Sequence, residues 1–425
     1  MYANASDVVY DIPSEHVFGT SHVFLEPEPE PEPDPEPEPE PSTFIQLKND
    51  INGVIGDYFG YSVSFSSDGS RVAIGAPNSS VSGNLSGYVA IYDLSGTAWI
   101  QVGSSISHAT ADDRFGYSIS LSSDGSRVAI GAPFSDVSGH DSGYVAIYDL
   151  SGNAWVQIGS TLIGATIGDR FGYSISLSSD GSRVAIGVPY SDTSGDDSGH
   201  VEIYDLSGNI WVQKGNDIIG TTDDRLGQSI ALSSDGSRVA IGAPYGGVSS
   251  NQLGYAAIYD LSGNTWVQIG INIIGKAVHD RFGSSIALSS DGSRVAISAP
   301  YNDDGGNASG HVRVYDISNG SWNQIGEDIN GKANKEVAGR SISLSSDGSC
   351  LAVGATKGEG CVRVYTYKET SWVQLGTDIK GQVSGDSSGF SVSLSSDCSR
   401  VAIGAPYNNS GGSYAGHVRI YQYDS

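Results

Sequence analysis

A repeat of about 55 residues, seven times over, governs what this chain can become. Its recurrent turns carry Asp68, Asp124, Asp180, Asp235, Asp291, Asp347 and Asp397, at spacings of 56, 56, 55, 56, 56 and 50 residues. Each unit reads approximately DRFGYSISLSSDGSRVAIGAPYSDxSGxxSGYVAIYDLSGNxWVQIGxxIxG. Four short alternating segments separated by turn residues predict four strands of a meander. In the second unit they fall near Tyr117 to Ser122, Arg127 to Ala132, Tyr144 to Asp149 and Trp155 to Gly159, with Asp124-Gly125 as the first hairpin turn. One four-stranded sheet cannot bury both of its faces, so neighbours at this period must stack. The expected fold is all-β, a seven-bladed β-propeller of four-stranded antiparallel blades.

The aromatic residues set the register. Trp99, Trp155, Trp211, Trp266, Trp322 and Trp372 are the six Trp of the protein, one at the start of each fourth strand. The seventh unit ends after its third strand, at GHVRIYQYDS, whereas TFIQLKNDING near the N-terminus superposes on AWVQIGSTLIG and puts Phe44 at the Trp position. Phe44 to Leu47 is therefore expected to supply the outer strand of the last blade, whose inner three strands come from Phe390 to Tyr421. The competing phase keeps all four strands of every blade in chain order. Closure removes an exposed blade face and an unpaired edge.

Ahead of the repeats the chain changes character. Glu26 to Pro41 is eight consecutive acid-proline dipeptides, which lack every second N–H and repel one another, so residues 26–41 are read as an extended acidic spacer. Residues 1–25 are read as a disordered tail, and 42–425 as the propeller. Met1 to Phe24 shows neither a positive n-region nor an apolar stretch, so no signal peptide is visible; an export signal further upstream is the alternative. Of the net charge of -26, -11 lies in the first 41 residues and -15 in the repeats, which disfavours nucleic acid and anionic membranes. No run approaches 18 apolar residues, so direct membrane insertion is not expected.

Six prolines, Pro77, Pro133, Pro189, Pro244, Pro300 and Pro406, each follow a second strand. Together with Phe59-Gly60, Phe115-Gly116, Phe171-Gly172 and Phe282-Gly283, and with Gly75-Ala76-Pro77, Gly131-Ala132-Pro133, Gly242-Ala243-Pro244 and Gly404-Ala405-Pro406, they make the chain resemble the FG-GAP repeats of integrin alpha subunits. Degenerate copies read Leu226-Gly227, Ala338-Gly339, Gly389-Phe390, Gly187-Val188-Pro189 and Ser298-Ala299-Pro300. The resemblance implies a seven-bladed propeller acting as a non-enzymatic interaction or adhesion module, at the cell surface or outside the cell. The calcium loops of that family are not carried over, because the turn here is only SSDGSR and one carboxylate cannot supply six to eight oxygens.

The loops after the GAP segments vary from blade to blade while the strands barely change, which marks their shared rim as the expected ligand surface. Asp192, Asp196, Asp197, Asp303 and Asp304 in these loops are the candidate calcium ligands, with turn capping as the competing reading. No other cofactor is expected. Tyr190, Tyr245, Tyr301 and Tyr407 at the loop bases are the ligand-rim candidates. A protein ligand is the leading expectation and a carbohydrate-binding, lectin-like propeller the alternative, with a glycoside hydrolase or other hydrolase behind both: no HExxH, GxSxG or focused carboxylate pair is present. Asn78, Asn84, Asn307, Asn319 and Asn408 head glycosylation tripeptides, as does Asn4 in the tail. The recurrent Asp-Arg pairs (Asp113-Arg114, Asp169-Arg170, Asp224-Arg225, Asp280-Arg281) and the Arg that opens each second strand are read as structural ties between blades. Cys350 stands where that Arg recurs, and Cys398 replaces the Gly of a turn; a bridge between them and three free thiols are both open readings. The propeller is expected to be monomeric.

Overall fold

A computed structural model describes residues 43–424, apart from 97, 109, 248–251 and 319. The predicted tail and acid-proline spacer lie outside the described residues. All regular structure among the described residues is strand, arranged as seven antiparallel sheets.

Blade 1 runs outward from the axis as Ser62–Phe65, Arg71–Ala76, Tyr88–Ser95 and Ala98–Gln101. Blades 2 to 6 repeat this order. In blade 7 the chain supplies Ser391–Leu394, Arg400–Ala405 and His417–Asp424, and the fourth strand is Thr43–Gln46 from the other end of the sequence. The pairing is antiparallel, Thr43 opposite Asp424 and Gln46 opposite Tyr421, and Phe44 is buried against Tyr423 with ring centroids 5.2 Å apart. The ring is closed by exchange of the N-terminal strand, as the Phe44 register requires. A two-residue fifth strand also caps the upper edge of most third strands, for example Ile51–Asn52 on Val418 and His417.

The second strand explains how the blades stack. In Arg71–Ala76 the period of two sends Val72, Ile74 and Ala76 toward blade 7, where they pack with Ala402, Val418 and Ile420, and sends Ala73 toward blade 2. Val128 and Ile130 of blade 2 fill the space that Ala73 leaves. Large side chains on one face and Ala on the other let identical sheets nest around a circle, and seven apolar clusters each span two neighbouring blades. The Phe-Gly and Gly-Ala-Pro elements meet across the same seams. A Cβ on Gly75 would collide with the carbonyl of Gly116 in the next blade, and Phe115 is fully buried beside it.

Polar ties run in the same direction. Main-chain N–H groups of Ser67, Ser123, Ser179, Ser234, Ser290, Ser346 and Ser396 each donate to the carbonyl of the next one, at 2.7–3.1 Å, and Ser396 donates to Ser67. The circle of seven bonds is unbroken. Innermost-strand serines reach across as well, Ser62 Oγ to Gly116 O at 2.8 Å and Ser391 Oγ to Gly60 O at 2.7 Å. Toward the outside, Trp155 Nε1 donates to Val102 O of the preceding blade at 3.0 Å, and Trp266 Nε1 to Lys214 O at 2.9 Å. The recurrent Arg makes two kinds of bond. Arg127 is bidentate to Asp149 of its own blade (2.5 and 2.7 Å), and only its Nη1 crosses to the next blade's turn, at Gly181 O (2.9 Å).

Blade 6 breaks this tie in a coordinated way. Cys350 replaces the Arg, Thr366 sits opposite where Asp would be, and Cys398 replaces the Gly whose carbonyl the Arg would reach. Cys350 and Cys398 form a disulfide with Cα atoms 6.0 Å apart. A covalent bond thus stands in the place of the arginine hydrogen bond.

Candidate functional site

Strand direction places the candidate residues on one end of the ring. The first strand runs away from the Phe-Gly element, the second returns, and the loop after Gly-Ala-Pro leads into the third; the Asp-Arg pairs, the Phe-Gly elements and the variable loops therefore share a face. The SSDGS turns lie at the opposite end. There Asp124 Oδ1 accepts from Ser122 Oγ at 2.7 Å and from Ser126 N at 2.9 Å, so the turn carboxylate is spent on its own backbone. Although partial burial opposes it, these bonds hold Asp124 below the usual carboxyl range.

Each Asp-Arg pair divides between two environments, and Asp57 and Asp386 stand at the Asp position in blades 1 and 7, which lack the Arg. The acid turns inward: Asp113 and Asp224 are 2% and 3% exposed, and burial raises the pKa of Asp113. It meets the first residue of a third strand. Tyr88 and Tyr255 donate to Asp57 and Asp224 at 2.9 and 2.8 Å. Where His311 and His417 replace the Tyr, Asn302 and Asn408 donate to Asp280 and Asp386 instead, both at 2.8 Å. Two cavities open beside these seams, of about 340 Å³ around Asp224 and Tyr255 and about 300 Å³ around Asp113, Tyr144 and His108.

The arginine turns outward and stacks. Arg114 lies over Phe134 (4.4 Å), Arg170 over Phe134 and Tyr190 (4.8 and 4.4 Å), Arg225 over Tyr190 and Tyr245 (4.7 and 4.4 Å), and Arg281 over Tyr245 and Tyr301 (5.0 and 4.5 Å). Cations and rings alternate through blades 2 to 5. Tyr190 and Tyr245 each have two guanidinium groups against the ring, which leaves their edges, rather than their faces, for a ligand. Tyr407 belongs to a separate aromatic group with Tyr58 and Tyr414, at 5.4 and 6.3 Å. Nearer the axis Phe390, Tyr61, Tyr117 and Tyr173 follow one another at 4.8, 5.0 and 5.1 Å. The ladder was not anticipated from sequence, although the recurrence of Arg after Asp and of Tyr after Pro was visible.

The candidate cation ligands do not converge as a group. Asp192 Oδ1 accepts from Asp197 N at 2.8 Å, Asp197 holds Arg225 at 2.7 Å, and Asp303 Oδ1 accepts from Ala308 N at 2.6 Å. Asp196 is exposed. Asp304 instead faces His311 and Lys276, at 3.8 and 4.0 Å, next to Asp328. Burial and the Arg313 cation lower the pKa of His311 to about 4. Against its burial, bonds from Lys276, Gln324 and Arg313 bring Asp328 down to about 2. Lys276 Nζ, 2.7 Å from Asp328, already supplies the positive charge there.

Of the glycosylation candidates, Asn84 and Asn307 are exposed and Asn78 is half-buried. Asn408 is 1% exposed and donates its amide to Asp386, so a glycan on it is incompatible with this packing. Asn319 and Asn4 lie outside the described residues.

Residues 275–315, from the end of blade 4 into the third strand of blade 5, match the FG-GAP repeat family model. That segment is similar to an FG-GAP repeat. It contains Phe282-Gly283 and Ser298-Ala299-Pro300, and the other blades carry the corresponding elements at the same places in their sheets. The seven-bladed ring is the architecture that the resemblance to integrin alpha subunits implied, and propellers built from FG-GAP repeats are generally interaction modules. No curated protein matches the chain.

Proposed function

We propose that this FG-GAP propeller is a non-enzymatic binding platform, displayed outside the cell, that takes a protein ligand on the face formed by its variable loops. One observation carries the reading: blade-to-blade differences concentrate on that face, whereas strands and SSDGS turns repeat almost unchanged. Loops that only joined strands would be free to repeat as the opposite turns do. A protein ligand is favoured over a glycan, because Arg170, Arg225 and Arg281 already occupy the rings of Tyr190 and Tyr245 that a sugar would stack on. The acidic surface and the short blade 6 loop, five residues between Cys350–Ala355 and Cys361–Lys368, shape the face without naming its ligand.

The test compares the native chain with a variant in which the loops between the second and third strands of blades 1, 2, 4, 5 and 7 are all replaced by the blade 3 loop. Proteins captured by the native chain and released in the variant, with a silent glycan array, are expected. Equal capture by both, or saturable sugar-competed binding, contradicts the proposal.

A further inference from the structure

The repeat supplies an internal reference for what the loop face accepts. Arg114, Arg170 and Arg225 occupy one position in blades 2, 3 and 4, and their backbone N–H groups donate to the carbonyls of Leu85, Asp141 and Asp197 at 3.1, 3.0 and 2.9 Å. In two of the three, the loop residue also delivers a carboxylate to the guanidinium, Asp141 at 3.2 Å from Arg170 and Asp197 at 2.7 Å from Arg225. In the first loop that residue is Leu85. Among the described residues Arg114 therefore has no carboxylate within 4.0 Å.

Arg114 is nevertheless held in place. Its guanidinium lies 4.4 Å from the centroid of Phe134, and stacking fixes the plane while leaving the N–H donors along its edge for another partner. Arg340 is arranged alike, 4.3 Å over Phe390, exposed, and also without a carboxylate among the described residues. Phe390, Tyr61 and Tyr117 run between the two arginines, at centroid separations of 4.8 and 5.0 Å. Two preorganised cations flank an aromatic arc, in a ring that is otherwise acidic.

We propose that the arc of Arg340, Phe390, Tyr61, Tyr117 and Arg114 binds an acidic peptide segment of a partner protein. One of its carboxylates takes at Arg114 the place that Asp141 and Asp197 take in the next two blades. This rests on the loop face being a protein-binding surface. Charge complementarity selects the occupant, because the same arginine position already accepts a carboxylate twice in this molecule. A peptide suits better than a small acid, since the cations stand at opposite ends of three rings and call for two carboxylates separated by apolar or aromatic residues. The net charge of the domain gives no long-range attraction for an acid, so recognition depends on these local contacts.

The probe is a capped, fluorescein-labelled peptide, Glu-Gly-Tyr-Gly-Glu-Gly-Tyr-Gly-Glu, titrated with the full chain by fluorescence anisotropy beside its Gln-for-Glu counterpart. Saturable binding of the Glu peptide, at least about 10-fold tighter than the Gln peptide, is expected. Leu85→Asp places an internal carboxylate on Arg114 and should weaken the Glu peptide by about 10-fold or more without lowering the melting temperature; Arg340→Gln should weaken it similarly. Equal affinity for both peptides, or no effect of Leu85→Asp, overturns the proposal. So does self-association that Leu85→Asp abolishes while the peptide fails to bind, which would make a second copy the occupant. If the uniform-loop variant loses its protein partners but Leu85→Asp keeps them, the loop-face reading stands and the acidic arc falls.

Discussion

His311 and His417 are fully enclosed, and both ring nitrogens of each lack a hydrogen-bond partner among the described residues. Burial, with Arg313 and Arg419 respectively, lowers both to about 4 against roughly 6.5 in an unfolded chain. His311 faces Arg313, Asp328, Asp304 and Lys276, and His417 faces Arg419, Asp50 and Asp386. Each stays neutral in the fold, so below about pH 6.5 the unfolded chain binds a proton that the folded chain refuses. Their contribution is complete above that pH and is lost as pH falls toward 4, at up to about 1.4 kcal/mol per unit for each His. A melting temperature that drops steadily from pH 7 to pH 4.5 is expected. His311→Tyr with Asn302→Ser, the pair that blade 1 carries as Tyr88 and Ser79, should flatten the slope; an unchanged slope would show that His311 is not its source. At the same scale, Leu85 has φ of +48°, where Asp is tolerated better than Leu, so Leu85→Asp should raise the unfolding midpoint through both backbone and ion pair.

Elements repeat because each seam poses the same problem, and the exceptions show which parts of the solution matter. Replacing Cys350 and Cys398 by Ser should cost about 2–4 kcal/mol in denaturant unfolding. Adding the consensus trio instead, Cys350→Arg, Thr366→Asp and Cys398→Gly, should recover part of that loss; no recovery would mean that the Arg tie and the disulfide are not equivalent. Ala73→Val should destabilise by about 1–3 kcal/mol, because Val128 and Ile130 already occupy the space beside it. Strands were legible at this scale. The reading of Arg127 to Ala132 matches Arg127–Ala132, and that of Tyr144 to Asp149 grows only to Tyr144–Ser151. The two-residue strands such as Leu162–Ile163 escaped, since their pairing depends on where the outer strand stops rather than on any local period. The direction of the arginine bonds and the Arg-aromatic ladder escaped for a related reason: each joins rows from two blades, and only the packed ring brings those rows together. The Cys350–Cys398 bridge was one of two readings open from sequence, and Thr366 opposite Cys350, where the Asp partner of the Arg recurs, is the signal that would have favoured it over free thiols.

For the whole molecule, closure is what turns seven similar sheets into one face. Thr43–Gln46 satisfies the open edge of His417–Asp424, and the seam with blade 1 is sealed by Ile51, Phe59, Val72, Ile74, Val418 and Ile420. Without that strand blade 7 would expose Tyr421, Tyr423 and an unpaired edge, and the ring would lose its fixed spacing of loops. Deleting the chain through Gln46 should therefore lower stability and promote association through that edge, measurable as a reduced melting temperature and a concentration-dependent sedimentation profile. The most direct measurement is hydrogen exchange of the backbone amides in Thr43–Gln46. The closed ring predicts protection comparable to that of Ala98–Gln101, its equivalent in blade 1, and loss of protection across His417–Asp424 when the strand is deleted. Exchange of Thr43–Gln46 at the rate of an unstructured peptide in the intact chain would contradict it.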